Sequence, residues 1–143
     1  MRQSYRTRRI ALPPRYREFR PRGVPARNMN PVSLSVDEYE AVRLADYAKL
    51  EHQEAAECMH ISRSTFTRLV EKARGRIATA IIEGRSLIVR GGNVEFERTI
   101  RRCRHCGEEE AVPILHRTEH CRGCGSDDLE DLAETAGTET ARD

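Results

Sequence analysis

His52-Gln-Glu-Ala-Ala56-Glu-Cys-Met59-His60-Ile61-Ser62-Arg63-Ser64-Thr65-Phe66-Thr67-Arg68-Leu69 has the spacing of two short helices joined by a tight turn. A helix-turn-helix needs a small residue where its helices cross, and Ala56 supplies it. It needs an apolar residue on each side of the turn, met by Met59 and Ile61, and an N-cap on the second helix, met by Ser62. Phe66 and Leu69 then fall on the inward side of that helix. The turn residue is commonly Gly because the backbone turns left-handed there; His60 occupies it here, tolerated at a cost in strain.

Burying those positions leaves Arg63, Ser64, Thr67, Arg68 and Lys72 facing outward near the N-terminal end of the second helix, with Thr65 beside them. In this motif that end enters the major groove of DNA. Arg63 or Arg68 matches guanine O6 and N7, and Thr67 matches a thymine methyl or a base edge. Lys72 and Arg74 lie further along and suit phosphates. The competing reading is a helical hairpin with a solvated face; the turn chemistry and the small crossing residue weigh against it.

Outward from this centre, Ser35-Val36-Asp37-Glu38 forms a capping box. It opens a first helix to about Ala48 that buries Tyr39, Val42, Leu44 and Ala45, with Asp37 and Glu38 favouring the positive end of the helix dipole. The second helix covers about residues 52–59. The third begins at Ser62 and runs to Glu83 on inward positions Phe66, Leu69, Val70, Ala73, Ile77, Ala80 and Ile81. Gly84 ends it, and Gly75 inside it costs roughly 1 kcal/mol relative to Ala. Residues 86–90 read as a strand ended by Gly91-Gly92, and Val94-Glu95-Phe96 opens a second.

The flanks differ in charge. Residues 1–30 hold nine arginines against one glutamate; residues 126–143 hold seven carboxylates against one arginine. Five prolines between Pro13 and Pro31 block long helices in the basic arm, leaving residues 10–12 and 17–19 as short extended pieces. Arg8 and Arg9 are expected on phosphates. Across all 143 residues the hydrophobic share is 38% and the charged share 34%, so a core can involve only part of the chain. No apolar run is long enough to span a bilayer, and the arginine-rich start lacks the apolar stretch of a secretory signal. The expected location is the cytoplasm, where cysteines point to metal or redox chemistry before disulfides.

Cys103-Arg-His-Cys106-Gly107 and Cys121-Arg-Gly-Cys124-Gly125 form two CxxCG knuckles separated by fourteen residues. Two such knuckles close a tetrahedral four-thiolate site, which suits one structural zinc ion. Residues 96–126 carry too little apolar material to fold alone, so metal binding must contribute folding free energy. His105, His116 or His120 in place of one cysteine, an iron–sulfur cluster, and a dithiol redox pair are the weaker alternatives. Cys58 reads as a free thiol.

Three stretches together carry a family resemblance: Phe19-Arg-Pro-Arg-Gly23-Val-Pro25; Leu34-Ser-Val-Asp-Glu38-Tyr-Glu-Ala-Val-Arg43-Leu-Ala-Asp46; and Glu54-Ala-Ala56 through Ser62-Arg63-Ser-Thr-Phe66. Over roughly residues 8–92 the chain resembles a family of small prokaryotic proteins predicted to bind DNA, whose helix-turn-helix is like region four of sigma factors. The resemblance implies a sequence-specific DNA binder, a transcriptional regulator, with base contacts at positions matching residues 63–68. His60, Gly75 and Cys58 depart from the family pattern.

The expected fold is mainly α: a three-helix helix-turn-helix domain with a few short strands and a small C-terminal zinc ribbon. The expected divisions are a basic arm (1–33), the DNA-binding domain (34–92), the metal module (93–126) and a disordered acidic tail (127–143). Double-stranded DNA is the expected partner, with a homodimer on two half-sites and RNA polymerase or another transcription component as further candidates. A protein-interaction module docking on the transcription machinery is the rival function. A hydrolase or nuclease would need an open metal position beside a base such as Glu108, Glu109, Glu110 or Glu119; a closed four-cysteine site has none, so the chain is not expected to be an enzyme.

Overall fold

The structure is a computed structural model and describes residues 7–25, 30–116 and 118–137. Helix α1 (Val36–Val42) opens on the capping box: Ser35 Oγ accepts from the Glu38 N–H at 3.3 Å, and the Glu38 carboxylate accepts from the Ser35 N–H at 3.1 Å. It widens into a π-helical turn over Arg43–Tyr47. Helix α2 (His52–Met59) ends on His60, whose φ of 56° and ψ of 43° are the left-handed turn expected there. Ser62 Oγ then accepts from the Thr65 N–H at 3.2 Å and caps α3 (Arg63–Glu83), which Gly84 closes at φ 65°.

Ala56, Met59, Phe66 and Val70 are buried between these helices, with Val36, Ala41 and Leu44 of the first packed on them. Phe66 has no exposed surface, and truncating such a side chain to Ala costs about 3–5 kcal/mol. Ile81 departs from its expected inward place. It is 73% exposed, because the side of α3 that is covered there is the one that carries Ala80, 6% exposed.

The expectation of a mainly α fold is overturned. Among the described residues, four helices stand with eight strands in three sheets, an α/β mix. Strands β1 (Arg8–Ile10), β2 (Glu18–Phe19) and β3 (Val32–Leu34) precede the helices; β4 (Leu87–Val89) and β5 (Val94–Phe96) follow them. β1 pairs with β5 in parallel, and the order β2-β4-β3 makes a sheet in which β3 and β4 are parallel. Residues 8–10 and 32–34 are thus built into the helical domain: Ile10, Leu34 and Val89 belong to its core.

Three carboxylates of α1 hold this assembly together. Asp37, Glu38 and Glu40 are at most 3% exposed, where the sequence reading had the first two at a helix end. Asp37 pairs with Arg8 of β1, Glu38 with Arg76 of α3 at 3.1 Å, and Glu40 with Arg43. Glu40 also accepts from the Ala11 N–H at 3.0 Å. A buried carboxylate persists only when paired and hydrogen-bonded, so each fixes a neighbour: first strand, long helix or π turn.

The third sheet has the order β7-β6-β8, from β6 (Arg98–Cys103), β7 (Glu109–Pro113) and β8 (Leu129–Asp131), all antiparallel, and leads into α4 (Leu132–Gly137). Part of the segment expected as a disordered tail is therefore strand and helix, with Leu132 and Ala136 buried. The tail beyond residue 137, and residues 1–6 and 26–29 of the expected arm, lie outside the described residues. This sheet is tied to the segment between β1 and β2: Arg102 donates to the Arg15 carbonyl at 2.8 Å, Arg15 pairs with Glu109 at 3.0 Å, and Arg17 donates to the Thr135 carbonyl at 2.8 Å.

Candidate functional site

Helix α3 presents its first turns to solvent. At about 100° per residue, Ser64, Arg68, Glu71 and Gly75 follow one line along the helix, opposite the buried Phe66, Leu69, Val70 and Ala73. Arg63, Ser64, Arg68 and Lys72 are all exposed, as the sequence pattern requires. Thr65 and Thr67 are half-buried. Thr65 Oγ1 lies 2.8 Å from the capping Ser62 hydroxyl, and Thr67 Oγ1 lies 2.9 Å from Nδ1 of His52, whose ring stands edge-on to Phe66. The two threonines brace the start of the helix, and the long cations stand free of it.

The cations of this chain differ in how fully they are engaged. Arg63, Arg68 and Lys72 make no hydrogen bond or ion pair among the described residues. Arg8 instead closes on buried Asp37, and Arg9 pairs with Glu97 at 3.1 Å, so β1 places neither side chain as a free phosphate contact. Arg74 donates twice to Asp46, at 2.7 and 3.0 Å, which holds that carboxyl below its usual range and withdraws the guanidinium from the exposed set. These acidic partners are 28 or more residues away in the chain. No local pattern marks them.

The four cysteines converge. Sγ atoms of Cys103, Cys106, Cys121 and Cys124 all lie within 4.8 Å of one another, with Cys103 and Cys124 3.6 Å apart and Cys106 and Cys121 3.5 Å apart. Metal–sulfur bonds of about 2.3 Å in a tetrahedron put sulfurs about 3.8 Å apart, so the set fits one ion. The knuckles repeat each other. Gly107 and Gly125 take φ of 82° and 76°, and their N–H groups donate to the carbonyls of Cys103 and Cys121, both at 2.9 Å. The Cys106 N–H points at Cys103 Sγ and draws that thiol down to about 6, and the Cys124 N–H lowers Cys121 likewise, while crowding by the neighbouring thiols raises Cys106 and Cys124. Thiolates are the form that binds metal. Cys58 is exposed on α2, away from the cluster.

A family model described as "Protein of unknown function DUF134" matches residues 1–97, about two thirds of the chain. The chain belongs to this family. The DUF134 match ends just before β6 and takes in all five strands and three helices up to that point. A "UPF0251 protein" of Chloroherpeton thalassium is 46% identical over 132 residues, 92% of this chain and 87% of that protein. That alignment must run on through the cysteine segment. Proteins of the same description from Halothermothrix orenii and Desulforudis audaxviator are 42% and 40% identical, over 77% and 85% of this chain and 82% and 80% of theirs. No solved structure matches.

One surface escaped the sequence reading. Tyr16, Phe19, Tyr47, Ile81 and Ile82 are at least half exposed, and all but Ile82 line a single open groove. Ile82 was its one local sign: sixteen residues after Phe66, at about 100° per residue, it falls on nearly the opposite side of α3 from that buried ring. Among the described residues, no helix is long and apolar enough to cross a membrane.

Proposed function

We propose that this protein is a sequence-specific DNA-binding regulator of transcription that inserts the N-terminal end of α3 into the major groove. The observation that carries the reading is a set of cations with no partner among the described residues: Arg63, Arg68 and Lys72 extend from α3, while Arg8, Arg9 and Arg74 pair with carboxylates of the same chain. Holding three guanidinium or ammonium groups unpaired on one helix favours a polyanionic partner. His60, left-handed between α2 and α3, and the Ser62 cap set the angle at which α3 leaves the protein. Arg63 and Arg68 read base edges, Ser64 supports them, and Lys72 holds a phosphate.

The four cysteines hold one structural zinc ion. The donor set is all thiolate, and every protein ligand position of the tetrahedron is filled, so the ion's contribution is to fold the β6–β8 sheet. The protein acts by binding.

Selection of bound oligonucleotides from a random pool, with metal content measured on the same sample, tests the reading. The expected outcome is a defined motif and one zinc per chain. Arg63→Ala or Arg68→Ala should lower affinity for that motif by about 1–3 kcal/mol and relax the preference at one base pair. No enrichment, or equal losses on the motif and on random duplex, would remove α3 from base reading.

A further inference from the structure

We infer that the apolar groove beside the C-terminal half of α3 is the seat of a second copy of this chain. The groove has a volume of about 1030 Å3 and runs between α1, α3, the β2-β4-β3 sheet and the segment before β2. Ile77, Leu87 and Val89 form its floor, and Tyr16, Phe19 and Tyr47 form its rim. Ile81 on the wall of this hollow and Ile82 next to it project from α3, 73% and 83% exposed. A hollow and a projection on one face of the same molecule are what a two-fold interface requires, since each copy fills the other's groove with its own projection.

The exposed area is adequate. With exposures of 65%, 50% and 84%, Tyr16, Phe19 and Tyr47 alone leave about 400 Å2 open to water. A stable interface needs about 800 Å2 per partner, and the two isoleucines and the groove walls supply the remainder.

The charges select the occupant. The groove walls include four arginines and no carboxylate. Each arginine is nevertheless paired within its own chain: Arg15 with Glu109, Arg20 with Glu18, Arg43 with Glu40 and Arg85 with Glu83. An acidic partner finds no unpaired cation there. A second copy brings the same neutral pairs and meets no like-charge repulsion.

The position is also compatible with the proposed DNA reading, on which the dimer itself does not depend. Ser64 and Ile81 are 17 residues apart on α3, about 26 Å along its axis. A two-fold near Ile81 therefore leaves both recognition ends free and within reach of major grooves about 34 Å apart.

Sedimentation velocity on the full, metal-loaded chain without DNA tests this, at up to about 100 μM, where an interface of this size should be populated. The wild type should sediment at twice the chain mass. Ile82→Glu and Tyr47→Glu, both at exposed positions and checked for unchanged circular dichroism, should each weaken association by about thirtyfold or more. A monomeric wild type overturns the inference, as does a dimer that neither substitution weakens. Binding of an apolar dye by a wild type that stays monomeric also overturns it, in favour of a small ligand. Random-duplex binding measured on the same samples separates the two readings: a monomer that binds DNA sinks only the dimer, and a dimer that ignores DNA sinks only the proposed function.

Discussion

Replacing Arg8 with Ala separates a structural role from a DNA contact. Arg8 closes on Asp37, a carboxylate 3% exposed, whose Oδ1 has no hydrogen-bond partner among the described residues. Removing one member of a buried pair strands the other and costs about 3–5 kcal/mol. The Arg8 side chain is 27% exposed, so water can reach part of the vacated space, which reduces the expected loss to about 2–3 kcal/mol. With a urea slope of about 2 kcal/mol/M for a domain of this size, the unfolding midpoint should fall by about 1–1.5 M at unchanged slope. Adding Asp37→Asn should recover much of that loss, because the stranded charge is then gone. The salt dependence of DNA binding should stay the same, whereas loss of a true phosphate contact lowers it by about one counterion. A stability loss below about 0.5 kcal/mol, or a reduced salt slope with stability intact, would refute the assignment of Arg8 to the fold.

Cys106→Ser, or stripping the metal with a chelator, should abolish metal uptake and the strand signal of β6–β8 while leaving the α-helical circular dichroism of α1–α3 largely intact; loss of all helical signal would show that the two parts do not fold separately. His60→Gly should stabilise the protein by about 1 kcal/mol in urea titration, since His60 holds a left-handed φ of 56° that Gly adopts without strain. Gly75→Ala should raise stability by about 0.8–1 kcal/mol, because nothing lies within 4 Å of the added methyl group. No gain would mean that the α3 backbone departs from ordinary helix geometry there.

The helix-turn-helix was legible because its determinants are local. The Ser35 and Ser62 caps, the left-handed His60 and Gly84, and the inward Phe66 and Leu69 each act within a few residues. The cysteine cluster was legible for the same reason, two knuckles repeating one turn. The strands at 8–10, 18–19 and 32–34 were legible only as short extended pieces at residues 10–12 and 17–19, since two or three residues give no periodicity. Their partners, Val94 for Arg8, Leu87 for Phe19 and Leu87 for Val32, lie 55 to 86 residues away. Asp37 and Glu38 show the same limit: acidic residues in a helix's first turn read as solvated until distant arginines arrive to bury them. The first half of the expected tail was hidden by its acidity, although Thr99 and Arg101 of β6 both bond Asp131.

The parallel pairing of β3 with β4, and of β1 with β5, sets a timetable for synthesis. The opening strands leave the ribosome with no strand to pair with until residues 87–96 have been made, a wait of several seconds at about 5–20 residues per second. During that interval the three helices can nucleate from neighbouring contacts, while Ile10 and Leu34 remain uncovered. The slow step in maturation should then be the late docking of the leading segment onto an already formed helical body, with premature release at that stage favouring aggregation.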